Sequence, residues 1–452
     1  MASSSGSRDV AARRRDIEGH GSKPLDWAPS PSRQVWMLSA LMFSMMLCGW
    51  VEGSVGPLLP SLQAYYKQNY ATMSYVFVTG FIGSLGSGFL SVYITDKLGF
   101  GRTILLGALA VALAYGLTSI RGTFFLFIFS YGVNGFGGAI IDAQANSFAS
   151  RLPAVPSGVF QVQACFALGA TIAPLVSTFI VERFQGRPHL FFLVAMGVSL
   201  VNALILVIAF KGKTEKQLLG AGADAAPIDD SHAVERDLAR EDQPLLPRKR
   251  KQQETRGSGE KMLALLGNPT VWSVLGWVFF YCGAEMAISE YLTSYLITER
   301  NATISAGYAS VGFWSAMTIS RFLFAPLSRK LGWYNSVYIY SIISIGGQVI
   351  GYLTPSDVGT SIAFALIGLM YGPMWPNVLM VTAEELDEDL RVGIISFMGT
   401  TSGLGTAILP IAFGAIFDRW GIWIFPHLVG IMVVLSMLCW SLMKRKSHTH
   451  AE

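Results

Sequence analysis

Four carboxylates stand where a carboxylate is costly. Glu52, Asp142, Glu285 and Glu290 each fall inside a long apolar run of the sequence, and a charged side chain at the centre of a membrane-spanning helix costs about 2.5 to 3.5 kcal/mol on insertion scales. Each must face a polar cavity, find a counter-charge or bind a proton. Burial favours the protonated carboxyl, the property a group needs if it is to load and release a proton near neutral pH. Counting along the runs at about 1.5 Å per residue places Glu285 near the midplane, Glu52 in the outer half, Asp142 in the inner half and Glu290 nearest the outside. Depth alone favours Glu285 as a proton carrier. Plainer readings stand next to these: Glu52 as an outer carboxylate reaching water, Asp142 as one side of an ion pair at a helix end, Glu290 as a solvated vestibule residue. Arg321 is expected to pair with Glu384 or Glu385.

Neutral polar groups accompany the acids. Asn146 lies four residues after Asp142 and so on the same helical face, while Gln161, Gln163 and Asn377 occupy neighbouring runs. Such amides, with the flat rings of Trp50 and Trp375, suit a polyhydroxylated ligand, because hydroxyls need paired hydrogen bonds and the apolar face of a sugar needs a ring to lie on. Each amide could equally tie two helices together. No cluster of inward cations marks an anionic substrate.

The elements that must hold these residues are membrane helices. Hydrophobic residues make up 52% of the 452 and charged residues only 14%, with a mean hydropathy of +0.46, where soluble chains carry about 25% charged residues. Twelve apolar runs are each long enough to cross a bilayer, which takes about 20 residues: 35–55, 74–94, 103–120, 123–148, 158–181, 190–210, 271–297, 306–327, 336–353, 361–381, 392–417 and 422–443. They are apolar all round rather than alternating, so helices and not a barrel are expected. The expected organisation is a disordered cytoplasmic arm over 1–32, a six-helix half over 33–211, a disordered cytoplasmic linker over 212–262, a second six-helix half over 263–443 and a cytoplasmic tail over 444–452. Arg13 to Arg15, Arg248 to Lys251 and Lys444 to Lys446 all fall on one side of such a chain, which makes that side cytoplasmic. Asn301-Ala302-Thr303 then lies outside, where a glycosylation acceptor would have to be. The first run follows a long polar arm and is expected to remain as an anchor rather than be cleaved.

The two halves repeat each other. Cys48-Gly49-Trp50-Val51-Glu52 is answered by Cys282-Gly283-Ala284-Glu285, and the run from Leu168 to Pro174 by the run from Leu404 to Pro410. Two repeated membrane halves meeting at a central cavity are the architecture of a secondary transporter. The short loops agree: Thr95-Asp96-Lys97-Leu98-Gly99-Phe100-Gly101-Arg102 follows the second run, and Ser328-Arg329-Lys330-Leu331-Gly332 the eighth, without the aspartate. Charged helix ends on loops this short can exchange partners as the halves tilt, so Asp96, Arg102, Arg329 and Lys330 are candidate gating residues.

These loops resemble the signature of the major facilitator superfamily. The runs Gly53 to Pro60 and Gly135 to Asn146, with Tyr281 to Glu285, Gly307 to Arg321 and Gly372 to Pro376, further resemble fungal facilitator proteins related to the fucose:proton symporter branch. The resemblance covers the spans but not the arm or linker. It implies the facilitator fold, with Glu52 as proton-binding acid and Asp142 as the acid beside the sugar. The chain departs from that pattern at Gln163, where a histidine is usual, and at Ser289-Glu290-Tyr291, where Gly-Gly-Trp is usual.

Enzymes fit poorly. The sequence has no Walker loop, zinc-spaced histidine pair or nucleophile elbow, its four cysteines sit within spans, and no cofactor or metal is implied. The basic excess belongs to the cytoplasmic segments, so no nucleic-acid partner is expected. The reading is a monomeric, proton-coupled symporter of a small polar solute, a sugar or polyol, in contact with the lipid bilayer. The alternatives are a proton-coupled drug or metabolite antiporter and a transporter-shaped sensor. Glu241-Asp242-Gln243-Pro244-Leu245-Leu246 resembles an acidic dileucine sorting signal, which would engage a coat adaptor and place the protein in a vacuolar or endolysosomal membrane; the plasma membrane is the alternative.

Overall fold

The chain is described from a computed structural model over residues 29–152, 158–184, 187–219, 258–386 and 388–443. The arm, most of the linker with Glu241, Leu245 and Leu246, and the tail lie outside the described residues. The first half contains α1 (Pro31–Tyr66), a short α2 (Tyr70–Met73), α3 (Tyr75–Leu98), α4 (Phe100–Ser119), α5 (Phe124–Ala149), α6 (Gly158–Arg183) and α7 (His189–Phe210). After the short helices α8 (Glu215–Leu219) and α9 (Ser258–Gly267), the second half contains α10 (Pro269–Glu299), α11 (Tyr308–Leu323), α12 (Ala325–Leu331), α13 (Trp333–Leu353), α14 (Asp357–Tyr371), α15 (Met374–Glu385), α16 (Glu388–Trp420) and α17 (Phe425–Ser441).

Helices satisfy every backbone group within the segment, which a bilayer demands. Eleven of the helical segments are long and apolar enough to cross. The twelfth crossing is the eighth run, which the sequence presents as one span and the structure divides: α11 ends at Leu323, and α12 begins beyond Phe324 with a proline in its first turn. Pro326 supplies no N–H to a preceding turn. The tenth span is divided likewise at Gly372-Pro373. A Cβ on Gly372 would lie 2.0 Å from the Ser320 hydroxyl and 2.3 Å from the Met317 carbonyl, so glycine there lets the eighth and tenth spans meet. The ends of α1 overrun the expected 35–55 because polar residues such as Gln34 and Gln63 continue the helix.

The repeat seen in the sequence is a repeat of helix contacts. In the first half α1 lies on α6: a Cβ on Gly49 would fall 1.9 Å from the Phe166 carbonyl oxygen, and one on Gly169 would fall 1.8 Å from that of Met46. In the second half α10 lies on α16: Gly283 meets Leu409 at 2.1 Å and Gly405 meets the Phe279 carbonyl at 2.4 Å in the same sense. Small residues let helices approach closely in a membrane, where packing replaces the hydrophobic drive.

The linker expected from residue 212 starts later. Lys213 accepts the Gly101 N–H at 3.0 Å, Leu218 and Leu219 are buried, and Glu215 pairs with Arg151 at 2.8 Å. Two leucines and one ion pair thus fasten its first turn under the first half, and α9 extends the folded part back to Ser258 at its other end.

Gly169→Val should therefore cost about 1 to 3 kcal/mol by overpacking and lower the Tm of the detergent-solubilised protein. Gly197→Val, where a Cβ meets nothing within 4 Å, should leave it unchanged. Equal shifts for the two would contradict this account of the α1–α6 contact.

Candidate transport cavity

A cavity of about 770 Å³ lies between the halves, within the range of about 300 to 1,000 Å³ typical of small-molecule sites. From the first half α1 contributes Glu52, α3 contributes Phe81 and Ser84, α5 contributes Tyr131, Asn134 and Asp142, and α7 contributes Ser199. From the second half α10 contributes Glu290 and α16 contributes Thr400, Ser402 and Thr406. Carboxylates and amides therefore converge from the first half, and the second half presents mainly hydroxyls and one further acid.

Several residues singled out from the sequence meet here. Asp142 is exposed to the cavity and accepts from Asn146 Nδ2 at 2.9 Å, while Asn146 Oδ1 accepts from Gln163 Nε2 at 3.2 Å. The i, i+4 spacing brings acid and amide together as expected, and the chain of amides leads from the cavity wall toward the inner side. Glu52 is half-buried on the wall. Glu285 stands off the cavity lining: Arg321 acts on its charge from α11, and the Tyr281 hydroxyl lies beside it. Arg321 thus acts on Glu285 of α10.

Others lie elsewhere. Asn377 is 2% exposed and donates to the hydroxyls of Ser328 at 3.1 Å and Ser336 at 2.8 Å, so it ties α12, α13 and α15 together. Trp50 is buried and stacks on Phe191 at 5.7 Å. Trp375 is partly buried against the core, and Gln161 is half-buried on α6. None of these four lines the cavity. An isolated tryptophan or amide in an apolar run gives no sign of which way it points, and here Trp50 and Asn377 are taken up by the packing of their own halves. The rings that do line it are Phe77, Phe81, Phe89, Tyr131 and Phe166. The signal for Asn134 and Ser199 was faint, small polar residues among the large apolar ones of the fourth and sixth spans.

Glu290 departs most from expectation. It is 0% exposed and neither carboxyl oxygen has a hydrogen-bond partner, so it is no vestibule residue. The outer side is closed around it. Asp418 of α16 accepts the backbone N–H groups of Tyr70 at 3.0 Å and Ala71 at 2.9 Å. The Tyr291 hydroxyl lies 2.8 Å from the Pro410 carbonyl and 2.6 Å from the Ser74 hydroxyl. Tyr308 donates to Glu182 at 3.5 Å, and contacts between the halves continue down to Thr171 and Thr318 at 3.3 Å. Toward the end of the bundle that carries the short charged loops, the cavity lining reaches Gly88 and Phe89 of α3 and Gly399 of α16. Asp96, Arg102, Arg329 and Lys330 are exposed there, and no hydrogen bond or ion pair among the described residues joins their side chains across the halves. The halves are therefore joined at the end carrying Tyr70, Ser74 and Asp418, and no such bond joins these loops at the opposite end among the described residues. Asn301 is exposed after α10 on the outer side, with a left-handed φ of 52°.

Residues 41–410 match the family profile described as the Major Facilitator Superfamily. The chain is 23% identical over 455 residues to "Bypass of stop codon protein 6" of Saccharomyces cerevisiae, covering 97% of this chain and 89% of that one. Among solved structures it resembles a D-xylose-proton symporter (TM-score 0.72, 12% identity, 91% of this chain and 98% of that chain). It also resembles a bacterial homolog of the human lysosomal transporter Spinster in an inward-facing conformation (0.67, 14%, 94% and 97%), and the fucose:proton symporter of E. coli (0.56, 18%, 90% and 98%). At these identities the solved structures speak for the fold alone.

Hydrogen bonds to a charged group are worth about 1.5 to 3 kcal/mol, so Asp418→Ala should favour opening to the outside by about tenfold or more. Cys48, which lines the cavity, serves as reporter when the other three cysteines are replaced by alanine. Its labelling by an impermeant maleimide from outside should rise accordingly, and an unchanged rate would mean that Asp418 does not hold the closure.

Proposed function

The chain belongs to the Major Facilitator Superfamily, and from that premise we propose that it couples proton movement to transport of a small polar solute, a sugar or polyol, by alternating access. The observation that carries this reading is the placing of two carboxylates, Glu52 and Asp142, on the wall of a cavity between two repeated halves, closed at the outer side and open at the inner. A membrane carboxylate is retained where it does work or is compensated. Glu285 has Arg321 as a counter-charge. Glu52 makes no hydrogen bond among the described residues and faces the cavity, which suits the carrier that binds and releases the proton. Asp142, held by Asn146, suits the role of orienting a solute hydroxyl, with Asn134 and Ser199 as further partners and Phe81 or Tyr131 as the surface for an apolar sugar face. The absence of an inward cation cluster from this wall favours a neutral solute.

Transport would proceed by rocking of one half on the other. Protonation of Glu52 removes its charge and with it the cost of carrying it through a closed state. In that cycle the outer contacts at Asp418 and Tyr291 part, and the inner loops carrying Asp96, Arg102, Arg329 and Lys330 close in their place. The acidic dileucine segment supports residence in a vacuolar or endolysosomal membrane, where a symporter would drive its solute from an acidic lumen into the cytosol.

Glu52→Gln should abolish uptake driven by a pH gradient in proteoliposomes while retaining counterflow exchange, because the amide resembles the protonated acid. Gradient-driven uptake equal to the parent's would overturn the assignment of Glu52. For the compartment, replacing Leu245 and Leu246 by alanine should move a fluorescent fusion from internal membranes to the cell surface; an unaltered internal distribution would remove the sorting role.

A further inference from the structure

Glu290 takes no part in the carrier scheme above, yet its setting is specific. It stands on α10 between two residues that close the outer side. On one flank the Ser289 carbonyl is crossed by α1 so closely that a Cβ on Gly56 would lie 1.9 Å from its oxygen, and the Ser289 hydroxyl receives the Trp314 indole N–H at 3.2 Å. On the other flank Tyr291 reaches Ser74 and Pro410. Successive helical residues point about 100° apart, so the helix presents Ser289 to α1 and α11, Glu290 to the cavity's outer end and Tyr291 to α3 and α16.

The groups that act on Glu290 offer no compensation for a charge. Glu52 faces it from α1 and Tyr131 from α5, with Tyr291 beside it on its own helix. On α11 the cation Arg321 is directed to Glu285, and on α16 the acid Asp418 is spent on the amides of Tyr70 and Ala71. With no donor to either oxygen and a like charge opposite, an ionised Glu290 is incompatible with the tight crossing of α1 and α10. The protonated acid is compatible with it.

We infer that Glu290 is a second proton-binding site, one that locks the outer closure: protonated, it lets Gly56 and Ser289 cross; when its proton leaves to the outer aqueous side, the carboxylate must be hydrated and the two helices part. This rests on the proposed proton coupling and adds to it a control over which side is open. It also gives Glu52 and Glu290 different tasks, the first on the carrier wall and the second at the seal.

The test reads conformation rather than transport. Spin labels at Arg187→Cys and Val358→Cys, exposed positions toward the outer ends of the two halves, report the outer opening by pulsed electron resonance once the native cysteines are replaced by alanine. In the parent, a change from acidic to alkaline pH should add a population at longer distance. Glu290→Gln and Glu290→Met, neutral at every pH, should hold the short distance throughout, and the apolar methionine guards against a fold upset by an unpaired amide. Glu52→Gln should keep the pH-driven shift. A parent whose distances ignore pH would overturn the inference, as would Glu290 variants that open with pH as the parent does, or a shift lost in Glu52→Gln alone. A protein that moved no sugar would still show the shift, so failure of the transport reading and failure of this one are separable.

Discussion

The rest of the structure depends on the crossing of α1 and α10 at Gly56 and Ser289. These are the first helices of the two halves, and at that point their backbones come within the thickness of a missing side chain. Each of these helices is also packed closely on a partner within its own half, α1 on α6 and α10 on α16, so in the proposed rocking cycle a change at the crossing would carry each half with it. The latch of Asp418 on Tyr70 and Ala71, the Tyr291–Ser74–Pro410 cluster and the approach of Gly307 to Pro57 and Thr178 all depend on that separation. They can form only while the outer ends are together, and the inner cavity is wide for the same reason.

Charge is distributed in keeping with this geometry. Glu285 has a cation near it, Asp142 has an amide and open space, and Glu52 is half-open to the cavity; Glu290, at the cavity's outer end, is fully buried with no donor to either oxygen. The cost of an uncompensated carboxylate in a low-dielectric medium exceeds that of most packing changes, so protonation is a natural currency for moving the halves. The acids are not interchangeable, because their surroundings differ more than their chemistry does.

Much of the fold was legible in the sequence. The paired motifs at Gly49 and Gly283, and at Gly169 and Gly405, revealed the two repeated halves; that the same glycines are where α1 meets α6 and α10 meets α16 is visible only in the structure. Breaks at Pro326 and Pro373 did not interrupt the apolar pattern and so were hidden in single runs. On the cavity wall, Glu52 and Asp142 were recoverable from the cost of a carboxylate in a span, and Asn146 from its spacing to Asp142, to which it donates. Trp50, Trp375 and Asn377 were not, because hydropathy carries no information about the direction of a side chain on a helix that is apolar all round. Glu290 was misplaced for a related reason: distance along a helix measures depth in the bilayer, whereas burial is decided by what crosses the helix at that depth.

The central claim is that proton and solute move together, and the most direct measurement is of the proton itself. Purified protein in liposomes loaded with a pH-sensitive dye, with no imposed gradient, should be challenged from outside with a panel of sugars and polyols. The account predicts that at least one solute acidifies the lumen as it enters, that a protonophore abolishes the signal, and that Glu52→Gln lacks it. Solute entry at the same rate with no lumenal acidification would contradict coupling, and a panel that neither enters nor shifts the dye would contradict the substrate class.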